Sequence, residues 1–269
     1  MEGIREREEA YRQGLNRAEV FDCNVWWAPL SRGNLRQFTD FREMLSACEA
    51  EGIRGGIVTD VQAATLDNYA GNERLRRLLK DCPGWYGAMV LTTDVCFDGG
   101  GRAYIRDLMA EGFRAVRMFP RNFEHSMEEY AIGKILEELE ELGLPLMVWQ
   151  DQVSFREMDA ILSRHPKLNL IVEGHDVKLL YHAREYFALM RKHDNFYLES
   201  HNLVLFRELE DLWELSGKMH VVFGSYFPYA TPHFAAFRVW GADIPKEAKE
   251  AIFCNNAQRL FPEWKEGLL

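Results

Sequence analysis

Eight short apolar runs alternate with longer segments of helical periodicity along this chain, starting at Val20. This alternation is typical of β–α units around a parallel sheet, and the nearly continuous apolar character of the runs fits strands that are covered on both faces. The predicted strands are residues 20–25, 54–59, 86–91, 115–119, 145–149, 169–173, 196–200 and 220–224. We therefore predict an α/β protein that folds as a single (β/α)8 TIM barrel.

The segments between these runs carry apolar residues at three- and four-residue spacing, which indicates amphipathic helices. The clearest examples are residues 37–51, 101–111, 132–142 and 178–192. Glycine follows three of them at Gly52, Gly112 and Gly143. A left-handed residue at such a position commonly ends a helix, so these glycines are expected to mark helix ends close to the next strand.

One barrel domain accounts for most of the chain. Its 269 residues are 47% hydrophobic, which is enough to bury one large core, and no linker rich in Gly, Ser or Pro divides them. We assign residues 20–269 to the barrel and residues 1–19 to a charged helical extension. An open doubly wound sheet is the alternative, but no glycine-rich dinucleotide fingerprint follows an early strand.

The formal net charge of -10 argues against a nucleic acid or an anionic membrane as partner, because both select clustered Lys and Arg. The five cysteines form no CxxC pair, which fits reduced thiols in the cytosol. The N-terminus is charged and lacks the apolar segment of a signal peptide, and no apolar run approaches the length of a membrane span. We expect a cytoplasmic protein whose partner is a small-molecule ligand.

Functional groups of such barrels lie at the C-terminal ends of the strands and in the loops that follow. Four predicted strands end in distinctive motifs, and one more motif lies near the C-terminus. They are Asp22-Cys23-Asn24-Val25-Trp26 in the first strand, Leu144-Pro145-Leu146-Met147-Val148-Trp149 in the fifth, Glu173-Gly174-His175-Asp176 in the sixth, Gly224-Ser225-Tyr226-Phe227-Pro228 at the eighth, and Asn256-Ala257-Gln258-Arg259-Leu260-Phe261 beyond it.

Through these motifs the chain resembles the amidohydrolase superfamily, in the branch of small metal-dependent barrels that includes decarboxylases, lactonases and related hydrolases. The resemblance extends from Phe21 to about Phe261. The family has Asp-x-His-x-His in its first strand, a histidine at the end of the fifth and of the sixth, and Gly-Ser-Asp-x-Pro at the eighth. The positions that this resemblance gives to metal ligands are Asn24, Trp26, Trp149, His175 and Tyr226.

Among these positions, His175 alone keeps the residue type of the family. Catalytic divalent metals are held by imidazole nitrogens and carboxylate oxygens, whereas tryptophan offers only an N–H donor. We therefore predict a degenerate metal site with no metal ion and no other cofactor. The two indoles also take up volume at the barrel mouth, which predicts a smaller pocket or one shaped for a flat ligand. The intact closing motif at 256–261 supports the same scaffold.

The candidates for catalysis are His175, Asp151, Glu199 and Tyr226. Imidazole titrates near neutral pH, so His175 could be a general acid or base; the alternative is a retained histidine that only makes a hydrogen bond at the strand end. Asp151 and Glu199 are further candidates for proton transfer, and Tyr226 could polarise a carbonyl group.

The candidates for substrate binding are Asn24, Trp26, Arg117, Trp149, Gln150 and His201. Arg117 stands in an otherwise apolar run, where it could bind a carboxylate in bidentate fashion or pair across the barrel with Glu173 or Asp22. The aromatic segment 226–233 fits either a ligand pocket or a subunit interface.

Three functions follow from these observations. The first is a metal-independent hydrolase or lyase that acts on a small cyclic or carboxylated substrate at the C-terminal face of the barrel. The second is a non-catalytic barrel, a pseudoenzyme that binds a ligand, forms a homo-oligomer or pairs with an intact paralogous barrel. The third is an enzyme with a relocated metal held at strands six and seven by three of the residues Glu173, His175, Asp176, Glu199 and His201.

Overall fold

A computed structural model describes residues 6, 9–14, 19–27, 38–96, 101–174 and 183–266. Its eight strands are β1 (Val20–Trp27), β2 (Ile53–Asp60), β3 (Trp85–Val90), β4 (Phe113–Arg117), β5 (Leu146–Trp149), β6 (Leu170–Glu173), β7 (Phe196–Glu199) and β8 (Val221–Val222). They lie in one sheet in sequence order, and each strand runs parallel to the next.

The sheet closes on itself between its first and last strands. The Cys23 amide donates to the Phe223 carbonyl at 2.8 Å, and the Trp26 amide donates to the Phe227 carbonyl at the same distance. Val25 and Phe227 also form a parallel bridge. These contacts, with a helix after each strand, confirm the predicted (β/α)8 barrel.

The helices surround this ring. They are α1 (Phe41–Ala50), α2 (Val61–Thr65), α3 (Asn68–Leu78), α4 (Gly101–Ala110), α5 (Glu129–Leu142), α6 (Phe155–Arg164), α7 (Ala183–Lys192), α8 (Glu208–Ser216), α9 (Pro232–Gly241), α10 (Lys246–Glu250), α11 (Asn256–Leu260) and α12 (Glu263–Glu266), with a π-helical turn at Ala251–Asn255. None of the helices in the described ranges is both long enough and apolar enough to span a bilayer.

Local sequence explains where the helices begin and end. Asp40 accepts a hydrogen bond from the Glu43 amide and so starts α1 later than apolar spacing predicts. By contrast, α5 begins at Glu129, three residues before its predicted start at 132, because the apolar spacing becomes recognisable only from Ile132 onward. Gly52, Gly112 and Gly143 have φ of 88°, 95° and 67°, which confirms them as left-handed residues after helices.

The barrel wall and the helices share one apolar core. Cys23 is buried in it, as alternation along β1 predicts. The closing motif anchors α11 to the end of the sheet, because the buried Asn256 side chain donates to the carbonyls of Met219 at 2.5 Å and Val221 at 2.9 Å. The resemblance over 256–261 therefore has a structural basis: a side chain that completes the hydrogen bonding beside the short β8.

Residues 9–14 are helical and pack against α9. Tyr11 is buried, and its hydroxyl donates to the His233 carbonyl at 3.1 Å. Its ring makes edge contacts with Phe237 and Trp240, at centroid distances of 5.4 and 5.5 Å. The division of the chain at residue 19 stays a prediction.

Candidate active site at the barrel mouth

Polar side chains from three strands and one following turn meet at the C-terminal end of the barrel. Asn24 belongs to β1, Arg117 ends β4, Glu199 ends β7 and His201 follows it. Their side chains point into the ring, and none of these residues is more than 8% exposed. Such burial requires that each polar atom find a partner, so the hydrogen bonds of this cluster define what it can do.

Glu199 and His201 form a close acid–imidazole pair. One carboxylate oxygen of Glu199 accepts from the His201 amide at 2.6 Å, and the other contacts Nδ1 of the same ring. Because a carboxylate only accepts, the neutral ring carries its proton on Nδ1, which leaves the lone pair on Nε2. His201 Nε2 is buried and has no hydrogen-bond partner in the described part of the chain.

Asn24 connects this pair to the opposite side of the barrel. Its Nδ2 donates to Glu199 at 2.9 Å and lies 3.3 Å from Nδ1 of His201. Its Oδ1 accepts from the Trp26 indole N–H at 2.6 Å and lies 3.4 Å from Arg117 Nη2. Both ends of the amide are therefore hydrogen-bonded within the protein, and the role of Asn24 in substrate binding stays a prediction.

Arg117 forms a fully buried ion pair with Glu173. Nη1 of the guanidinium lies 2.5 Å from Oε1 of Glu173, although the angle is unfavourable for a hydrogen bond. The guanidinium carbon also lies 4.8 Å from the centre of the Trp26 ring. Burial raises the pKa of Glu173 to about 7, although the Arg117 charge acts to lower it. Of the two alternatives for Arg117, the structure contains the ion pair, and a substrate carboxylate would have to displace Glu173 to reach this guanidinium.

Four aromatic rings lie over the polar cluster. Trp26 contacts Trp149 at a centroid distance of 5.2 Å and Tyr226 at 6.3 Å, and Phe119 packs against Trp149 at 4.7 Å. Tyr226 stacks on His201 at 4.8 Å with an interplanar angle of 20°. These rings belong to a small apolar cluster separate from the main core, so the barrel mouth is walled by flat surfaces.

Asp22 ties β1 to the segment that follows β8. Its carboxylate accepts from the amides of Asn24 at 2.9 Å and Ser225 at 3.0 Å, and also from the Ser225 hydroxyl. Burial nevertheless raises the pKa of Asp22 to about 6. Tyr226 follows with φ of 59°, a left-handed conformation that is costly for an aromatic residue and turns its ring onto His201.

The structure brings together Asn24, Trp26, Arg117, Trp149, Glu199, His201 and Tyr226 among the predicted site residues. Gln150 and Asp151 occupy the turn after β5, where the Gln150 amide donates to the Glu173 carbonyl at 2.8 Å. Gln150 Oε1 and Asp151 Oδ1 are buried and have no hydrogen-bond partner within the described ranges. His175, the histidine that the resemblance retains, lies outside the described residues, as does Asp176.

Sequence reasoning did not select Phe119 or Ser225 as site residues. Phe119 follows β4 two residues after Arg117, and this position at a strand end was the available signal. Ser225 lies in the Gly-Ser pair of the motif at the eighth strand, and its hydrogen bonds to Asp22 explain why a small hydroxyl residue suits that place.

The side chains that the structure describes at the family's metal positions do not suit a metal ion. The Trp26 indole directs its N–H into the cluster, and the Arg117 guanidinium places a fixed positive charge 3.4 Å from Asn24. A divalent cation beside these groups would meet the hydrogen of the indole N–H and the positive charge of the guanidinium, and both would repel it. Nowhere in the described ranges do three His, Cys, Asp or Glu side chains group closely enough to hold a metal ion.

Eight parallel strands closed into a ring, with buried acid and imidazole groups at the C-terminal ends of the strands, place the chain in the class of (β/α)8 barrels. The family model described as amidohydrolase matches residues 31–262, so the chain belongs to the amidohydrolase family. A comparison with curated proteins gives no match.

Solved structures of decarboxylases share this fold. A manganese complex of 5-carboxyvanillate decarboxylase from Novosphingobium aromaticivorans is 13% identical, with a TM-score of 0.69 over 93% of this chain and 97% of its own. The structure of 2,6-dihydroxybenzoate decarboxylase from Rhizobium is 15% identical, with a TM-score of 0.68 over 91% of this chain and 99% of its own. A dihydroxybenzoic acid decarboxylase from Polaromonas, with bound manganese and 2-nitroresorcinol, is 14% identical. Its TM-score is 0.71 over 91% of this chain and 97% of its own. Identities this low establish likeness of fold.

Proposed function

We propose that this chain is a metal-independent hydrolase or lyase that acts on a small cyclic or carboxylated substrate, with His201 as its general acid or base. One observation carries the proposal: Nε2 of His201 has no hydrogen-bond partner in the described chain, while Nδ1 is held by Glu199. An imidazole held at one nitrogen by a carboxylate presents its other nitrogen to the substrate, which is the arrangement that general acid–base catalysis requires.

The aromatic rings at the barrel mouth favour a flat substrate. Tyr226 stacks on the His201 ring, Trp26 makes an edge contact with Tyr226, and Trp149 packs against Trp26. A planar molecule that reaches Nε2 would therefore meet aromatic faces. The solved neighbours named above include enzymes that decarboxylate dihydroxybenzoates and 5-carboxyvanillate. Planar carboxylated aromatics and small lactones are therefore the first compounds to test.

In either reaction His201 moves one proton. In hydrolysis, Nε2 removes a proton from the attacking water and returns it to the leaving oxygen. In decarboxylation, the carbon–carbon bond to the carboxylate breaks and its electron pair stays on the ring carbon, and a His201 imidazolium that has taken its proton from solvent delivers that proton from Nε2 to the same carbon. Glu199 stabilises the imidazolium in both reactions, since its carboxylate already faces Nδ1.

The test is turnover of 2,6-dihydroxybenzoate and of dihydrocoumarin by wild type, His201→Asn and His193→Asn. His193 is a matched control, because it also pairs with a carboxylate, Asp159, at 2.7 Å but lies after α7. We expect His201→Asn to lower kcat/KM by roughly a hundredfold or more and His193→Asn to leave it unchanged. Equal activity in all three proteins would remove His201 from the mechanism.

Metal independence needs its own measurement. The same assays are run on protein treated with EDTA, with and without added Mn²⁺, and the metal content per chain is determined by elemental analysis. We expect turnover to survive chelation, because the described donors around Asn24 and Arg117 do not suit a metal. Activity that disappears with EDTA and returns with Mn²⁺ would contradict this part of the proposal.

A second candidate function is ligand binding without chemistry. It is favoured by the aromatic rings themselves, because Trp26, Phe119, Trp149 and Tyr226 pack on one another and fill much of the barrel mouth. Under this alternative no compound of the panel is turned over. An aromatic acid or a lactone would still raise the melting temperature of wild type, and less so that of Trp149→Ala.

A further inference from the structure

The Trp26 indole determines which way the Asn24 amide faces. The oxygen and nitrogen of an asparagine side chain have nearly the same shape, so only their partners fix the orientation. The indole N–H can only donate, and it lies 2.6 Å from the Asn24 side chain. Arg117 Nη2, a second group that can only donate, lies 3.4 Å from the same atom. Two donors on one side require the amide oxygen there and place the NH2 group on the other.

That orientation controls the proton on His201. The Asn24 NH2 group donates to Oε2 of Glu199 at 2.9 Å and lies 3.3 Å from Nδ1 of His201. An NH2 group beside Nδ1 offers that nitrogen no acceptor, so the proton on Nδ1 is directed to Glu199. With the amide reversed, its oxygen would face the carboxylate and could also accept from Nδ1. The bond between His201 and Glu199 would then have a competitor.

We propose that Trp26 is a positioning residue: its indole N–H, through Asn24 and Glu199, keeps the proton of His201 on Nδ1 and the lone pair on Nε2. The inference rests on the proposed function, since it concerns the group that is to move the substrate proton. It assigns a role to two positions, Asn24 and Trp26, where the family resemblance has histidine. Burial strengthens it, because at 1% exposure Trp26 has little access to water that could replace its hydrogen bond.

The experiment measures the tautomer of His201 directly. Nitrogen-15 spectra of labelled imidazoles separate protonated from unprotonated ring nitrogens, and the His201 signals are assigned by their loss in His201→Asn. Wild type should give one protonated nitrogen, Nδ1, and one unprotonated nitrogen, Nε2. In Trp26→Phe, which keeps an aromatic face for Arg117 but lacks the N–H, we expect the two signals to average between tautomers and kcat to fall roughly tenfold.

Trp85→Phe is the matched control. Trp85 is another buried indole, in β3, and it donates to Glu49 at 3.3 Å on the other face of the barrel wall. This variant should keep the wild-type His201 spectrum. A wild-type spectrum in folded Trp26→Phe, or an equal change in Trp85→Phe, would overturn the proposal.

A second variant tests the same connection at its middle residue. Asn24→Leu removes both the acceptor for the Trp26 indole and the NH2 group beside Glu199. With no amide to hold the carboxylate, the two ring signals of His201 should average between tautomers, as in Trp26→Phe. An unchanged His201 spectrum in folded Asn24→Leu would also overturn the proposal, even if Trp26→Phe does not fold.

Failure of this inference is distinguishable from failure of the proposed function. Turnover lost in His201→Asn, together with an unchanged His201 spectrum in Trp26→Phe, would retain His201 as the acid–base group and remove Trp26 as its positioning residue. A changed spectrum with no turnover by any protein would retain the role of Trp26 and remove the enzymatic proposal.

Discussion

The Arg117 guanidinium and the Glu173 carboxylate lie 2.5 Å apart across the barrel, from β4 to β6, and neither side chain is exposed to solvent. Charges buried this deeply are tolerated only together, since the removal of one leaves the other without compensation. The ion pair therefore joins β4 to β6 in the barrel interior, and neither charge can be removed alone without a cost in stability.

Breaking this pair should destabilise the protein strongly. We expect Arg117→Met to lower the free energy of unfolding by about 3–5 kcal/mol, measured by urea denaturation. The loss should grow as the pH rises above 7, because removal of the Arg117 charge raises the pKa of Glu173 further and the folded variant keeps a proton that wild type and the unfolded chain release. Arg117→Met with Glu173→Gln should recover part of the loss. Additive effects of the two substitutions would show that the ion pair contributes no coupling.

Asp22 should make the protein less stable as the pH rises. Its pKa is raised from 3.8 to about 6, so between these values the folded chain binds more protons than the unfolded one. Stability that is present below pH 4 is therefore lost as the pH rises through 6, by about 3 kcal/mol.

Asp22→Asn removes this titration while keeping an acceptor for the amides of Asn24 and Ser225. The difference in the free energy of unfolding between the variant and wild type should shift in favour of the variant by about 3 kcal/mol from pH 4 to pH 7. Glu173 titrates with the same sign in both proteins and cancels in the difference. A difference that stays constant with pH would show that Asp22 remains ionised throughout.

Loss of the Asn256 side chain should destabilise the protein more than loss of the side chain of its neighbour Asn255. Its buried side chain donates to the Met219 and Val221 carbonyls, so Asn256→Ala leaves two backbone acceptors at β8 without this donor. We expect a loss of about 2–3 kcal/mol in the free energy of unfolding. Asn255→Ala is the matched control, because Asn255 is exposed and the same substitution there should change little. Similar losses for the two variants would argue against an anchoring role for the closing motif.

The fold could be predicted from the sequence because hydrophobic periodicity reports burial directly. All eight strands were located from their apolar runs, and Gly52, Gly112 and Gly143 were expected to be left-handed because no other residue type adopts that conformation so easily. The short helix α2 was missed, since Asp60 starts it immediately after β2 and five residues show no clear helical period.

The sequence predicts most of the residues that lie at the candidate site but not the hydrogen bonds and ring contacts between them. Strand alternation places Asn24 and Trp26 on the inner face, yet their hydrogen bond depends on the irregular register between Asp22 and Val25. The pairing of Glu199 with His201 follows from the bend after β7, where the chain leaves its extended conformation. Such distances are set by tertiary geometry, which residue spacing does not encode.

Gly224 holds open the space that Glu199 occupies. A Cβ atom at this position would overlap Oε1 and Cδ of the Glu199 side chain, which is buried and hydrogen-bonded to both Asn24 and His201. Gly224→Ala should therefore push the carboxylate away from His201 and lower kcat about as far as Glu199→Gln does, while the effect on folding stays smaller than that of Arg117→Met. Gly241→Ala is the control, because a Cβ atom there meets no neighbour within 4 Å. If Gly224→Ala keeps full activity and the wild-type His201 spectrum, the carboxylate position of Glu199 is not what sets the reactivity of this histidine.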